Sequence, residues 1–245
     1  ASANPYSNQS SFGPSGSVNP YASPQTAYVP PTPGGPITPQ VVGVEPILNY
    51  AWQLWQQHLG LLLGATVTVV AISYIVAFLI AIPQIALQQN GEAELAQAIN
   101  IAGQILNNLL QLYLGAGQTQ MAIKMARREP VQYTDLFGGG SVFLPLIGAY
   151  ILAAIAIGIG FVLLIVPGIL LLLMWWPYYF LIVDKKAGII ESFSTAATFT
   201  KGNWGTTILL WLLSIGIMIL GFLALCIGVL FAAPLVTLLW VVAYL

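Results

Sequence analysis

Five carboxamides recur along one stretch of this chain: Gln104, Asn107, Asn108, Gln111 and Gln118. At helical spacing they fall near one face, while Ile101, Ile105, Leu109 and Leu112 cover the other. A carboxamide both donates and accepts hydrogen bonds, and lipid would leave those groups unsatisfied, so the stripe must face protein or water. Two kinds of chemistry remain open to it. One is hydrogen bonding between packed helices; the other is a polar lining for a solute path. Little else competes for a chemical role. His58 is the one histidine, which excludes paired haem ligands and histidine metal clusters, and it reads as an interfacial residue. No Ser/His/Asp set can be assembled, because His58 and the acids are scattered. Gly138–Gly140 lacks the Lys-Ser/Thr that a phosphate-cradling loop needs. The lone Cys226 sits in an apolar run and gives neither a disulfide framework nor a thiol metal site. No enzyme, cofactor or metal is expected.

The elements that carry the stripe belong to a membrane protein. Charged residues make up 5% of the chain and hydrophobic ones 58%, with a mean hydropathy of +0.86. A soluble domain carries roughly 25% charged residues, so a soluble fold would lack polar cover. The net charge of −1 gives no reason to expect nucleic-acid binding. All the cations fall in two groups: Lys124, Arg127 and Arg128, then Lys185, Lys186 and Lys201. Cytoplasmic loops retain Lys and Arg, so these groups orient the chain. They are also the candidate contacts for anionic lipid headgroups.

Between the cations lie the spans. Residues 61–82 are uncharged and long enough for a hydrocarbon core of about 30 Å, with Pro83 closing the run. A loop is expected over 84–99. The polar second span covers about 100–121, and the third covers 142–165. A turn at Val166-Pro167-Gly168 leads to a short fourth span, 169–183, which contains Pro177 and must be short, kinked or tilted. The uncharged residues 205–245 would make a helix of about 60 Å, so they must turn near 221–225 and form two spans. Residues 45–59 and 189–204 read as amphipathic interfacial helices. The second presents Ile190, Phe193, Ala197 and Thr200 on one face. Six spans place every cation in the second and fourth loops, hence both termini in the cytoplasm. No span holds an Asp, Glu, Lys or Arg, which argues against ion-coupled transport. Small residues four apart (Ala149/Ala153, Ala154/Gly158, Ala156/Gly160) allow close helix approach in the third span. The aromatic residues Trp175, Trp176, Tyr178, Tyr179 and Phe180 suit an inner interfacial belt.

Residues 1–43 form a separate region. They carry no charge, are rich in Pro, Ser and Gly, and repeat Asn-Pro-Tyr at 4–6 and 19–21. Such a tail is either a solvated tether or a ligand for a protein partner. A weak internal repeat runs through 44–245: Tyr50-Ala51-Trp52 leading to His58-Leu59-Gly60, Phe193-Ser194-Thr195-Ala196 leading to Asn203-Trp204-Gly205, and more loosely Tyr133–Gly138. The expected fold is therefore all-α and polytopic. It has six transmembrane helices in three hairpins, each preceded by an interfacial amphipathic helix.

The run Ile159–Ile169, then Tyr179–Asp184, Ser192, Thr200–Trp204, Ala232-Ala233-Pro234-Leu235 and Tyr244 resembles a bacterial family of six-span membrane proteins of unknown function. That family includes the membrane domain fused to some glycerophosphodiester phosphodiesterases. The resemblance covers about 44–245 and implies architecture. The phosphodiesterase catalytic domain is not among these residues, so its activity is not implied. The expected function is that of a non-enzymatic protein of the bacterial inner membrane, organising membrane or serving as an accessory subunit, with lipids and a protein bound by the tail as partners. The alternative is a permease or channel for a small or amphipathic solute.

Overall fold

The computed structural model describes residues 43–224 and 227–245; the tail and Cys226 lie outside the described residues. The described chain is almost wholly helical and contains no strand. In order, the helices are α1 (Val44–Gln57), α2 (Leu59–Gln89), α3 (Ala93–Ala126), α4 (Gly140–Leu163), α5 (Ile165–Trp175), α6 (Tyr178–Val183), α7 (Ile189–Lys201), α8 (Trp204–Leu223) and α9 (Ile227–Tyr244), with a 3₁₀ turn at Tyr133–Phe137 before α4. Chain neighbours pack together: α2 on α3, α4 on α5, and α8 on α9. Five helices are long and apolar enough to cross a membrane: α2, α4, α5 with α6, α8 and α9. The 34-residue α3 is long enough, but its carboxamides make it less apolar.

Several boundaries differ from expectation. Helix α2 runs through Pro83, which lies inside it, and the loop expected over 84–99 shrinks to three residues between Gln89 and Ala93. A proline removes one backbone donor, a loss that a helix packed along a partner tolerates. The turn tightens at Gly91, whose φ of +79° suits glycine. The turn expected at Val166–Gly168 is instead a single extended residue, Leu164, and Pro167 sits in the first turn of α5, where a missing N–H leaves nothing unpaired. Pro177 does break the fourth segment, between α5 and α6. Helix α7 is rotated from the expected face: Ser192, Phe193, Ala196 and Thr200 are buried and Ile190 is 80% exposed.

Burial is concentrated toward one end of the helices. It includes Leu114 and Ala116 through Ala126 of α3, Leu181–Val183 of α6, and Leu238 through Tyr244 of α9. The apolar face of α1 (Ile47, Ala51, Leu54) is buried here too, mainly against α9. Beyond this base lies a belt of exposed apolar side chains: Val67–Ile85 on α2, Leu95–Leu106 on α3, Leu144–Leu163 on α4 and Ile208–Leu223 on α8. The α2 portion alone is about 27 Å long at 1.5 Å per residue, close to the thickness of a hydrocarbon core. The small residues of α4 divide accordingly. Ala149, Ala153 and Gly160 face inward, and Ala154 and Gly158 are exposed.

Candidate functional site

The two basic groups, far apart in sequence, meet at the buried base. Arg127 follows the last turn of α3, and its two terminal guanidinium nitrogens donate to the two oxygens of Asp184, both at 2.6 Å. Asp184 caps α6, and the Tyr244 hydroxyl at the end of α9 donates to its Oδ2 at 3.0 Å. The side chains of Arg127 and Asp184 are 11% and 6% exposed. Burial works against the Arg127 charge, but the hydrogen bonds and charge of Asp184 outweigh it and hold the guanidinium above its ordinary range. Beside this pair, the Tyr50 hydroxyl of α1 donates to the Ala126 carbonyl at 2.7 Å. Lys124 reaches Asp135 of the 3₁₀ turn, also at 2.7 Å. Partial burial would raise the Asp135 pKa, yet the Gln132 backbone amide and Lys124 lower it below the usual carboxylate range. Among the candidate headgroup contacts, Lys124 and Arg127 are therefore engaged by acids of their own chain. Arg128, Lys185, Lys186 and Lys201 have exposed side chains.

The ends of α3 and α6 share a second feature. Arg128 (φ 58°) and Lys185 (φ 57°) are left-handed residues just past the helix caps. Their amides bond back to Met125 and Ile182, and the next amides bond to Lys124 and Leu181. This is the Schellman arrangement, in which glycine is favoured. The end of α2 uses the same arrangement with Gly91. A left-handed non-glycine residue costs about 1–2 kcal/mol, so the cations are held at the basic end against backbone preference. Lys185→Gly is expected to raise stability by about 0.5–1 kcal/mol, and Gly91→Ala to lower it by about 1 kcal/mol. Thermal unfolding of both variants in one detergent checks the pair.

The carboxamide stripe is divided by the fold. Gln118 lines a cavity of about 50 Å³ with Thr66 of α2 and Pro234 and Thr237 of α9. That volume admits a few waters and no larger solute. Higher on α3, Gln104, Asn108 and Gln111 are exposed, and Asn107 is half-buried with its Oδ1 lacking a hydrogen-bond partner. Gln104 donates to Asn100 one turn back, and Gln111 Nε2 donates to Ser73 Oγ of α2 at 2.6 Å. The lower end of the stripe thus faces the small cavity, while its upper part lies on the outer surface of the α2–α3 pair.

The aromatic residues around Pro177 turn inward rather than forming a simple belt. Trp175 and Tyr178 pack on Phe193 of α7, with ring centroids 4.8 and 4.9 Å apart. Trp176 packs on Trp240 at 4.6 Å, and Phe180 stacks on Tyr244. They tie α5, α6, α7 and α9 together beside the Asp184 pair. His58 is half-buried at the junction of α1 and α2. No group of three metal-ligating side chains forms among the described residues. Comparison with known protein families, curated proteins and solved structures gave no match to this chain.

Proposed function

We propose that this is a non-enzymatic integral protein of a bacterial inner membrane that organises membrane or serves as an accessory subunit, working from its cytoplasmic face. One observation carries the reading. The C-terminal ends of α3, α6 and α9 converge on Arg127, Asp184 and Tyr244, with the exposed cations of both basic groups beside them. Three helices ending at one place must be reached by three running the other way, which supports six crossings in three hairpins with α3 as the second. Basic residues at that end favour the cytoplasmic side for it and for both termini. Helices α1 and α7 pack around the same end, which makes it the most elaborated surface of the fold. Arg128, Lys185, Lys186 and Lys201 would meet anionic headgroups there, each worth about 1 kcal/mol near the surface. The resemblance of the sequence to a six-span membrane family points the same way. A permease draws less support, because the polar stripe opens outward and the cavity at Gln118 is small.

The tail, residues 1–43, is proposed to recruit a protein. Tagged chains with and without those residues, purified from membranes in mild detergent, test it. The shortened chain is expected to insert and elute normally while losing a co-purifying protein. An identical set of co-purifying proteins from both chains would refute the recruiting role.

A further inference from the structure

The stripe on α3 has a period that bears on its purpose. Gln97, Gln104, Gln111 and Gln118 are seven residues apart, and Asn100 and Asn107 fall between them, as Leu114 does one heptad on. This is a heptad seam, Gln-x-x-Asn repeated, of the kind that keeps one helix face against another in a left-handed crossing. The lower seam is used within the chain, since Leu114 is buried, Gln118 lines the cavity and Gln111 bonds Ser73 of α2, but the upper glutamines keep an exposed face. Helix α2 meets α3 on the adjacent flank, where Gly103 and Ala96 are buried and a Cβ on Gly103 would lie 2.4 Å from Ile80 Cγ2. Gln97, Gln104, Asn108 and Gln111 remain exposed among exposed Ile101, Ile105 and Leu106. Those apolar neighbours place the carboxamides at the depth of lipid.

We propose that this seam joins two copies of the chain within the membrane, α3 against α3. The proposal rests on the reading above that α3 crosses the bilayer. Lipid offers no hydrogen bond to a carboxamide, and an unpaired one is costly there. The internal bonds to Asn100 and Ser73 use one donor nitrogen of each glutamine and leave further donor and acceptor capacity. A second copy fits because carboxamides complement themselves: each carries both donors and an acceptor. The seam between Glu94 and Lys124 carries no charge, so identical surfaces do not repel. Two copies inserted the same way around share a two-fold axis along the membrane normal. The exposed seam residues then face their own counterparts, Gln97 on Gln97, Gln104 on Gln104 and Gln111 on Gln111.

Single cysteines in a chain with Cys226 replaced by serine test this in native membranes, using two differently tagged copies and a mild oxidant. Gln97→Cys, Gln104→Cys and Gln111→Cys are expected to give disulfides carrying both tags, and Leu106→Cys, on the opposite face, to give none. Adding Gln104→Leu and Gln111→Leu to Gln97→Cys is expected to weaken dimerisation by roughly tenfold or more. In parallel, Glu92→Cys is expected to react with a membrane-impermeant thiol reagent from outside the cell. If Glu92→Cys reacts and the seam cysteines form no two-tag product, or cross-link only to another protein, the interface is wrong and the crossing stands. If Glu92→Cys is shielded from the outside, the crossing fails and the interface with it.

Discussion

Asp184→Ala is expected to destabilise the protein by about 3–5 kcal/mol, the usual cost of leaving one member of a buried ion pair alone. The carboxylate satisfies two guanidinium nitrogens and the Tyr244 hydroxyl, and no other acid contacts that guanidinium through a hydrogen bond among the described residues. Its loss strands Arg127, whose side chain is 11% exposed and whose Nε already lacks a partner. Domains are typically stable by about 5–15 kcal/mol, so this one change would remove a large share. Tyr244→Phe, which deletes one hydrogen bond, is expected to cost about 1 kcal/mol. The pair Arg127→Leu with Asp184→Leu separates charge stranding from packing, because replacing a whole buried pair by apolar residues is often near neutral. Thermal unfolding in detergent, followed by tryptophan fluorescence, ranks the variants. An Asp184→Ala protein as stable as Tyr244→Phe would show that the ion pair is not the tie between α3, α6 and α9.

What could be read from the residues in advance was whatever repeats locally. The apolar runs marked α2, α4, α8 and α9, the amphipathic pattern marked α1, and Pro177 marked the break between α5 and α6. The contact between Arg127 and Asp184 had no such signal, since 57 residues separate them and each looks like an ordinary loop charge. The buried face of α7 departs from its hydrophobic pattern for a related reason. Hydrophobicity favours Ile190, but the helix buries Ser192 and Ala196 and leaves Ile190 outside. Pro83 marks a helix end by local propensity alone, and the packing of α3 alongside lets α2 continue through it. The polar residues of α3 were legible as a stripe, and their heptad spacing was in the sequence all along. Which side of the helix the rest of the fold would leave open was not, because that depends on where α2 and α9 pack.

Gly117→Ala is expected to cost about 3 kcal/mol, at or beyond the upper end of ordinary overpacking. A Cβ at that position would lie 1.7 Å from the Leu136 carbonyl oxygen and 2.5 Å from its carbon. These are backbone atoms, and no rotamer change moves them. The 3₁₀ turn that carries Leu136 is held on α3 from both sides. Lys124 grips Asp135, and the Tyr113 hydroxyl donates to the Phe137 carbonyl at 2.6 Å. Gly139 also stands so close to the Tyr113 carbonyl that a Cβ would come within 2.5 Å. Tyr133 extends the seat to α2 by bonding Thr68 and the Gly64 carbonyl. A methyl group at Gly117 must therefore lift the turn away, pulling Asp135 from Lys124 and shifting the start of α4. Gly115→Ala is the control, because its Cβ would meet only the Tyr179 hydroxyl, at 3.3 Å, where a side chain can yield. The measurement is thermal stability in detergent together with protease cleavage across residues 128–140. Gly117→Ala is expected to melt lower and be cut faster than Gly115→Ala; equal behaviour would mean that the turn does not rest on α3 in this way.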